Sequence, residues 1–231
     1  MPLIQVAIMC SIGRPRLQAA CLTRLMREGE LFGDHLARRP RIYFAGSGER
    51  AGFLQVAFEG FRVVPVEAGR PHLPHFWRVF EEAEGGTPLL FLENDVWIVS
   101  GGVPRIAALA DELPADAGMV SFFDFRGESN GETFQPLDPA RDLWGSQALL
   151  FTAAAVEALG HLARERCDLA SCDSWDLWAG RAVRRAGLKL YLHAPSLVQH
   201  LGLRSEVWPE RPGPTASNFP EPFPFDLFVD D

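Results

Sequence analysis

Five consecutive residues, Pro88-Leu89-Leu90-Phe91-Leu92, carry no polar side chain and run straight into Glu93-Asn94-Asp95. A strand with no polar face must be covered on both sides, so it belongs in a sheet with helices above and below. The abrupt change to carboxylates places Glu93 and Asp95 at the carboxyl edge of that sheet, where α/β proteins build their ligand sites. Carboxylates in that position suit a hard divalent cation with oxygen ligands and open positions for phosphates. A solvated acidic turn is the plainer alternative.

The rest of the chain has the alternation that such a sheet requires. Strands are expected at residues 3–10, Arg41–Ala45, 61–66, 118–125, Ala148–Phe151 and 188–192. Helical spacing of apolar residues predicts helices at 16–29, 50–59, 74–84, 103–112, 152–164 and 173–186. The polar, aperiodic stretch 126–143 reads as a long loop, either functional or mobile. From Trp208 the character changes, with Pro209, Pro212, Pro214, Pro220, Pro222 and Pro224 interleaved among phenylalanines. Such a segment cannot be helical, so the chain divides into a domain over 1–207 and a Pro/Phe-rich tail over 208–231. The tail reads as an extended segment packed on the domain, with a partner-docking arm as the other possibility.

Composition narrows the function. The 231 residues include 30 acidic and 22 basic side chains, for a formal charge of -8. Without a dense basic block, a dedicated nucleic-acid binder is disfavoured. No apolar run approaches the ~20 residues of a membrane span. The four cysteines, Cys10, Cys21, Cys167 and Cys172, form no CxxC pair, and read as the reduced thiols of a cytoplasmic protein.

Other polar positions could join Glu93 and Asp95. His200 follows the last expected strand, inside Pro195-Ser196-Leu197-Val198-Gln199-His200, and serves either as a structural imidazole or as a ligand. Asp173 and Asp176 stand at the start of a helix, where Asp173 suits an N-cap or a general base. The loop from Ser11 to Arg14 could hold a diphosphate through its amides and guanidinium.

In order and spacing these stretches resemble the GT-A glycosyltransferases, which use nucleotide-sugar donors. LLFLENDV is similar to that family's acidic metal motif. Trp144-Gly145-Ser146-Gln147-Ala148 resembles the segment that faces donor sugar and acceptor, and PSLVQHLGLRS is similar to a stretch in N-acetylglucosaminyltransferase IV-like and related bacterial enzymes. The resemblance covers about residues 3–205. It implies a Rossmann-like, three-layer α/β/α domain with a mixed, mostly parallel sheet.

It also implies a metal-dependent, inverting transferase of hexosyl or N-acetylhexosaminyl type, acting on a glycan, peptide or small-molecule acceptor. Asp95 and His200 are then expected to ligate Mn²⁺ or Mg²⁺. Glu93 would orient the ribose or a metal-bound water. Ser11, Arg14, His75, Arg78, Asn94, Gly145, Ser146 and Gln147 would line the donor site. Asp173 is the expected base, with Asp176 in reserve. The sequence departs from the family pattern at Asn94, which removes one charge from the acidic motif, and at Cys172-Asp173, where a Glu-Asp pair is usual. A nucleotidyltransferase or a catalytically degenerate binding domain are the alternative readings.

Overall fold

The structure, a computed structural model, describes residues 3–10, 15–29, 35–46, 48–66, 73–124, 127, 130–143, 145–164, 175–201 and 215–222. Ser11, Arg14, Trp144, Cys167, Cys172 and Asp173 lie outside the described residues, as does the side chain of His75.

The elements in chain order are β1 (Gln5–Cys10), α1 (Pro15–Gly29), β2 (Arg41–Ala45), α2 (Gly48–Ala57), β3 (Arg62–Val66), α3 (Leu73–Glu82), β4 (Leu89–Glu93), β5 (Val96–Ile98), α4 (Gly102–Leu109), β6 (Ala117–Ser121), β7 (Phe134–Pro136), β8 (Ala148–Phe151), α5 (Ala153–Arg164), α6 (Trp175–Arg185), β9 (Lys189–His193) and β10 (Val198–His200). Eight strands form one sheet in the order β3-β2-β1-β4-β8-β6-β9-β7. The pairs β1/β2, β2/β3, β1/β4 and β6/β9 are parallel, whereas β8 runs antiparallel to both its neighbours. The sheet is mixed and mostly parallel.

Alternation along the strands sorts the core into two layers. In β4, Leu90 and Leu92 face one cluster and Leu89 and Phe91 the other. The first cluster takes Leu22 and Leu25 of α1, Ala51 of α2 and Ile106 of α4. The second takes Phe80 of α3, Leu159 of α5 and Trp178 of α6. Helices thus cover both faces, as the unbroken apolarity of β4 demands. Pro15 opens α1 at the first helical position, where its missing N–H costs nothing. At the end of α6, Gly187 takes a φ of 80°. There Leu188 N donates to Val183 O at 3.2 Å, closing a glycine-type helix end.

The strand expected over 118–125 ends at Ser121. Phe122 and Phe123 stay buried because the segment before β10 lies over them, with Leu197 N donating to Phe122 O at 3.0 Å. The stretch 126–143 is not wholly loop, since β7 pairs antiparallel with β9 at the sheet edge. A separate two-stranded sheet, β5 with β10, was not foreseen. Residues 215–222 lie against the domain, with Ala216 buried and Phe219 packed on the first core cluster.

Candidate active site

The strand order places β1 between β2 and β4, so the crossover connections leave in opposite directions on either side of the β1–β4 pair. In open α/β sheets ligand sites form at the carboxyl ends of the strands at such a point, and the acidic motif falls there. Glu93 ends β4, Asn94 and Asp95 make the turn, and β5 follows at once. β10 pairs antiparallel with β5, with His200 opposite Val96. Leu201 N donates to Asp95 O at 2.9 Å. This register brings His200 Nε2 to 3.1 Å from Asp95 Oδ2, with side-chain exposures of 6% and 17%. Beneath the small sheet, Leu17 and Cys21 of α1 pack with Leu201 and Trp97. Burial, with the Asp95 charge added to it, pushes the Cys10 and Cys21 thiols up, so both stay protonated.

The antiparallel course of β8 supplies the other wall. Its first residues lie beside the last of β4, and Glu93 N donates to Gln147 O at 3.0 Å. Ser146 Oγ donates to Glu93 Oε1. Gly145 adopts a φ of 104°, which glycine alone takes without strain. That conformation aims its N–H at Asp176 Oδ2, 3.1 Å away. Asp176 Oδ1 accepts from Leu177 N at 2.9 Å, an anion in the first turn of α6. The aromatic rings of Phe76, Phe91 and Trp175 fix where that turn sits, with centroids 4.2 Å apart for Phe76–Trp175 and 4.6 Å for Phe91–Trp175.

Electrostatically the site is crowded with negative charge. Burial, then Asp95, push the Glu93 carboxyl up to about 7, and Asp176 adds to the effect. The Ser146 hydroxyl and His200 oppose it. Gln147 is 7% exposed, and its Oε1 has no hydrogen-bond partner among the described residues. A buried carbonyl oxygen left this way is costly unless a ligand meets it.

The expected residues therefore divide. Glu93, Asp95, Gly145, Ser146, Gln147, Asp176 and His200 converge, and Asn94 lies in the turn among them. Arg78 does not join them. Its Nε pairs with Glu82 Oε1 at 2.6 Å, and Glu82 in turn binds Arg41, which starts β2 at the opposite edge of the sheet. Asp176 has both oxygens engaged by main-chain N–H groups, which makes it an anchor of the Gly145 turn. One buried carboxylate was missed. Asp124 follows β6 on the same edge and is 2% exposed, and its place in Phe122-Phe123-Asp124 was the available signal.

Asp95 Oδ2 and His200 Nε2 are hydrogen-bonded to each other, at a spacing that two ligands of a small divalent cation would also have. Octahedral ligands at the usual Mg²⁺ distance stand roughly 2.9 Å apart, close to the 3.1 Å between Oδ2 and Nε2. Among the described residues no group of three His, Cys, Asp or Glu side chains is disposed to hold a metal. Two protein ligands with the remaining positions left to phosphates and water is the arrangement such ions favour. A cavity of about 500 Å³ lies elsewhere, lined by Ile8, Met26, Leu36, Phe58 and Phe61 among others, and none of its lining residues is acidic.

No family model and no curated protein matches the sequence. Solved structures do. A 4-diphosphocytidyl-2C-methyl-D-erythritol synthase is similar with a TM-score of 0.50 and 14% identity, over 85% of this chain and 92% of that one. The fold is GT-A-like. The galactosyltransferase LgtC, in complex with donor and acceptor sugar analogs, matches at TM-score 0.45 and 16% identity over 82% of this chain and 73% of its own. The glycosyltransferase GlyE of Streptococcus pneumoniae matches at 0.45 and 10%, over 78% of this chain and 42% of its own. None of these three is an N-acetylglucosaminyltransferase by name. No helix among the described residues is long and apolar enough to cross a membrane.

Proposed function

We propose that this chain transfers a sugar, hexosyl or N-acetylhexosaminyl, from a nucleotide-diphosphate donor to an acceptor hydroxyl, and that Asp95 and His200 hold its divalent cation. The observation that carries the reading is the 3.1 Å approach of these two side chains at the topological switch point. Mn²⁺ or Mg²⁺ bound there supplies positive charge to a diphosphate leaving group.

The protein's own groups do the rest. Glu93, held by Ser146, orients the ribose or a water beside the cation. Gln147 offers its buried carbonyl oxygen to a hydroxyl of the donor sugar. The Asp176–Gly145 bond keeps that wall in place. Asp173 accepts the proton of the attacking hydroxyl, a role worth ~10²–10⁴-fold, and attack from the face opposite the leaving group inverts the anomeric centre. The acceptor is a glycan, peptide or small molecule, and the reaction takes place in the cytoplasm.

The deciding assay incubates the protein with a panel of nucleotide sugars and Mn²⁺, without acceptor, and measures released nucleoside diphosphate. Slow hydrolysis of one donor, lost in Asp173→Asn, is the expected result. Pyrophosphate release from a nucleoside triphosphate would instead establish nucleotidyl transfer. Donor binding without any turnover would leave a degenerate binding domain.

A further inference from the structure

Two polar side chains of the PSLVQH motif have no part in the chemistry proposed above, yet both are buried: Ser196 is 0% exposed and Gln199 2%. Both residues bind the far end of the chain, Gln199 through its side chain and Ser196 through its main-chain N–H. Gln199 Oε1 accepts from Ala216 N at 2.7 Å and from His200 N at 3.1 Å. Its Nε2 donates to Ala216 O at 3.1 Å. One amide thus satisfies three main-chain groups on two segments. Ser196 N donates to Asn218 Oδ1 at 3.1 Å, and Ser196 Oγ accepts from Asp124 N at 2.9 Å. Asn218 Nδ2 closes the triangle by donating to Asp124 Oδ2 at 3.4 Å.

The same segment reaches the other strand. Ser100 N, just beyond β5, donates to Glu221 Oε1 at 3.0 Å. Glu221 also pairs with Arg24 at 3.8 Å, and Arg24 lies 5.3 Å over the Trp97 ring and donates to Ile98 O at 3.2 Å. Residues 215–222 therefore bracket the two-stranded sheet, gripping β10 at one end and the exit of β5 at the other. A lone pair of three-residue strands is not stable by itself in water. Asp95 directly precedes β5 and His200 ends β10, so the strap adds its polar grip to the packing of Leu17 and Cys21 beneath the sheet that sets their 3.1 Å contact.

We propose that residues 215–222 form a strap that fixes the β5–β10 sheet, and that Gln199 is the positioning residue for His200; the link to cation binding rests on the reading given above. Only an amide fits the task. A carboxylate at 199 keeps the two acceptor contacts but loses the donor to Ala216 O and repels it. An apolar residue strands all three main-chain groups.

The test compares Gln199→Glu and Asn218→Ala with the wild type as full chains. Asn218→Ala loosens the strap by removing its bonds to Ser196 N and Asp124 Oδ2. Amide hydrogen exchange in metal-free protein is expected to rise about tenfold or more at His200, Leu201 and Ser100 in both variants. Exchange at Ile8 and Leu90 in the central strands should stay unchanged. Mn²⁺ affinity, measured by calorimetry without substrate, is expected to fall roughly fivefold or more, in step with the loosened β10. Faster exchange confined to residues 215–222, with His200 and Leu201 protected as in the wild type, would overturn the strap. Unchanged Mn²⁺ affinity in a variant whose β10 exchanges faster would overturn the positioning role. A wild type that binds no Mn²⁺ would remove the cation reading, and the metal-free exchange would still decide the strap.

Discussion

Asp95 and His200 are 105 residues apart in the chain and 3.1 Å apart in space, joined by a three-residue antiparallel register between β5 and β10. Neither side chain reaches the other by local geometry. The contact exists because the last small strand returns beside the turn that ends β4, so the two residues should behave as one unit toward a cation.

Removing either partner tests that unity. Asp95→Asn and His200→Ala are each expected to weaken Mn²⁺ binding by at least roughly tenfold, since even outer partners of metal ligands are worth that much. The double variant should lose little more than the weaker single one. Calorimetric titration of the three proteins measures this, and strictly additive losses would mean the two side chains do not share an ion.

Asp176 should matter to stability before it matters to chemistry. Its two oxygens accept from Gly145 N and Leu177 N, and the side chain is 6% exposed. Asp176→Ala leaves buried donors unmet, at about 1–3 kcal/mol each. Asp176→Asn keeps one acceptor and should cost less. Urea denaturation gives both values, and an Asp176→Ala protein as stable as wild type would contradict the anchoring role.

How much of this was readable in advance depended on where the partner of each residue lies. Arg41–Ala45 and Ala148–Phe151 stand in the structure as the sequence predicts them, because an apolar run bounded by turn residues carries its own limits. The two-layer core followed from the apolarity of β4 alone. β5, β7 and β10 were invisible, since three residues are too few to show a period and their pairing is decided by distant strands. Asp95 and His200 were nameable as candidates, but only the register between two unforeseen strands made them neighbours. Arg78 was expected only at the margin of the donor site. Its own helix supplies Glu81 and Glu82 within one turn, and those carboxylates hold it at the far edge.

Gly118 offers a check on the packing that supports β6. A Cβ built there would stand 2.4 Å from Val183 Cγ1 and 2.7 Å from Leu188 Cβ, so α6 and the chain leading into β9 approach the bare backbone. Gly118→Ala should destabilise the protein by about 1–3 kcal/mol through overpacking. A thermal melt measures it, and pairing the change with Val183→Ala should recover part of the loss.

His193 ties stability to acidity. It is 1% exposed, with the Phe122 and Phe134 rings 5.2 Å and 5.4 Å away, and its Nδ1 donates to Pro195 O at 2.9 Å. Burial holds its pKa below the ordinary 6.5, and the nearby Arg105 charge acts the same way. A neutral imidazole is therefore favoured in the folded chain. Its stabilising contribution is complete above the unfolded value and is lost as pH falls through the lower folded one. Urea midpoints at several pH values should drop more steeply on acidification in wild type than in His193→Gln. Parallel curves would show that the imidazole charges as readily folded as unfolded.

One strand of the large sheet, β8, runs against both its neighbours. The way out of β4 and the way into β8 consequently open onto a single rim, and the segment that joins β6 to β8 carries β7, paired with β9 at the sheet edge. The turns on either side of β7 can be lengthened, shortened or given new side chains while β7 keeps its rungs to β9. A protein built so can change what it accepts while keeping how it folds.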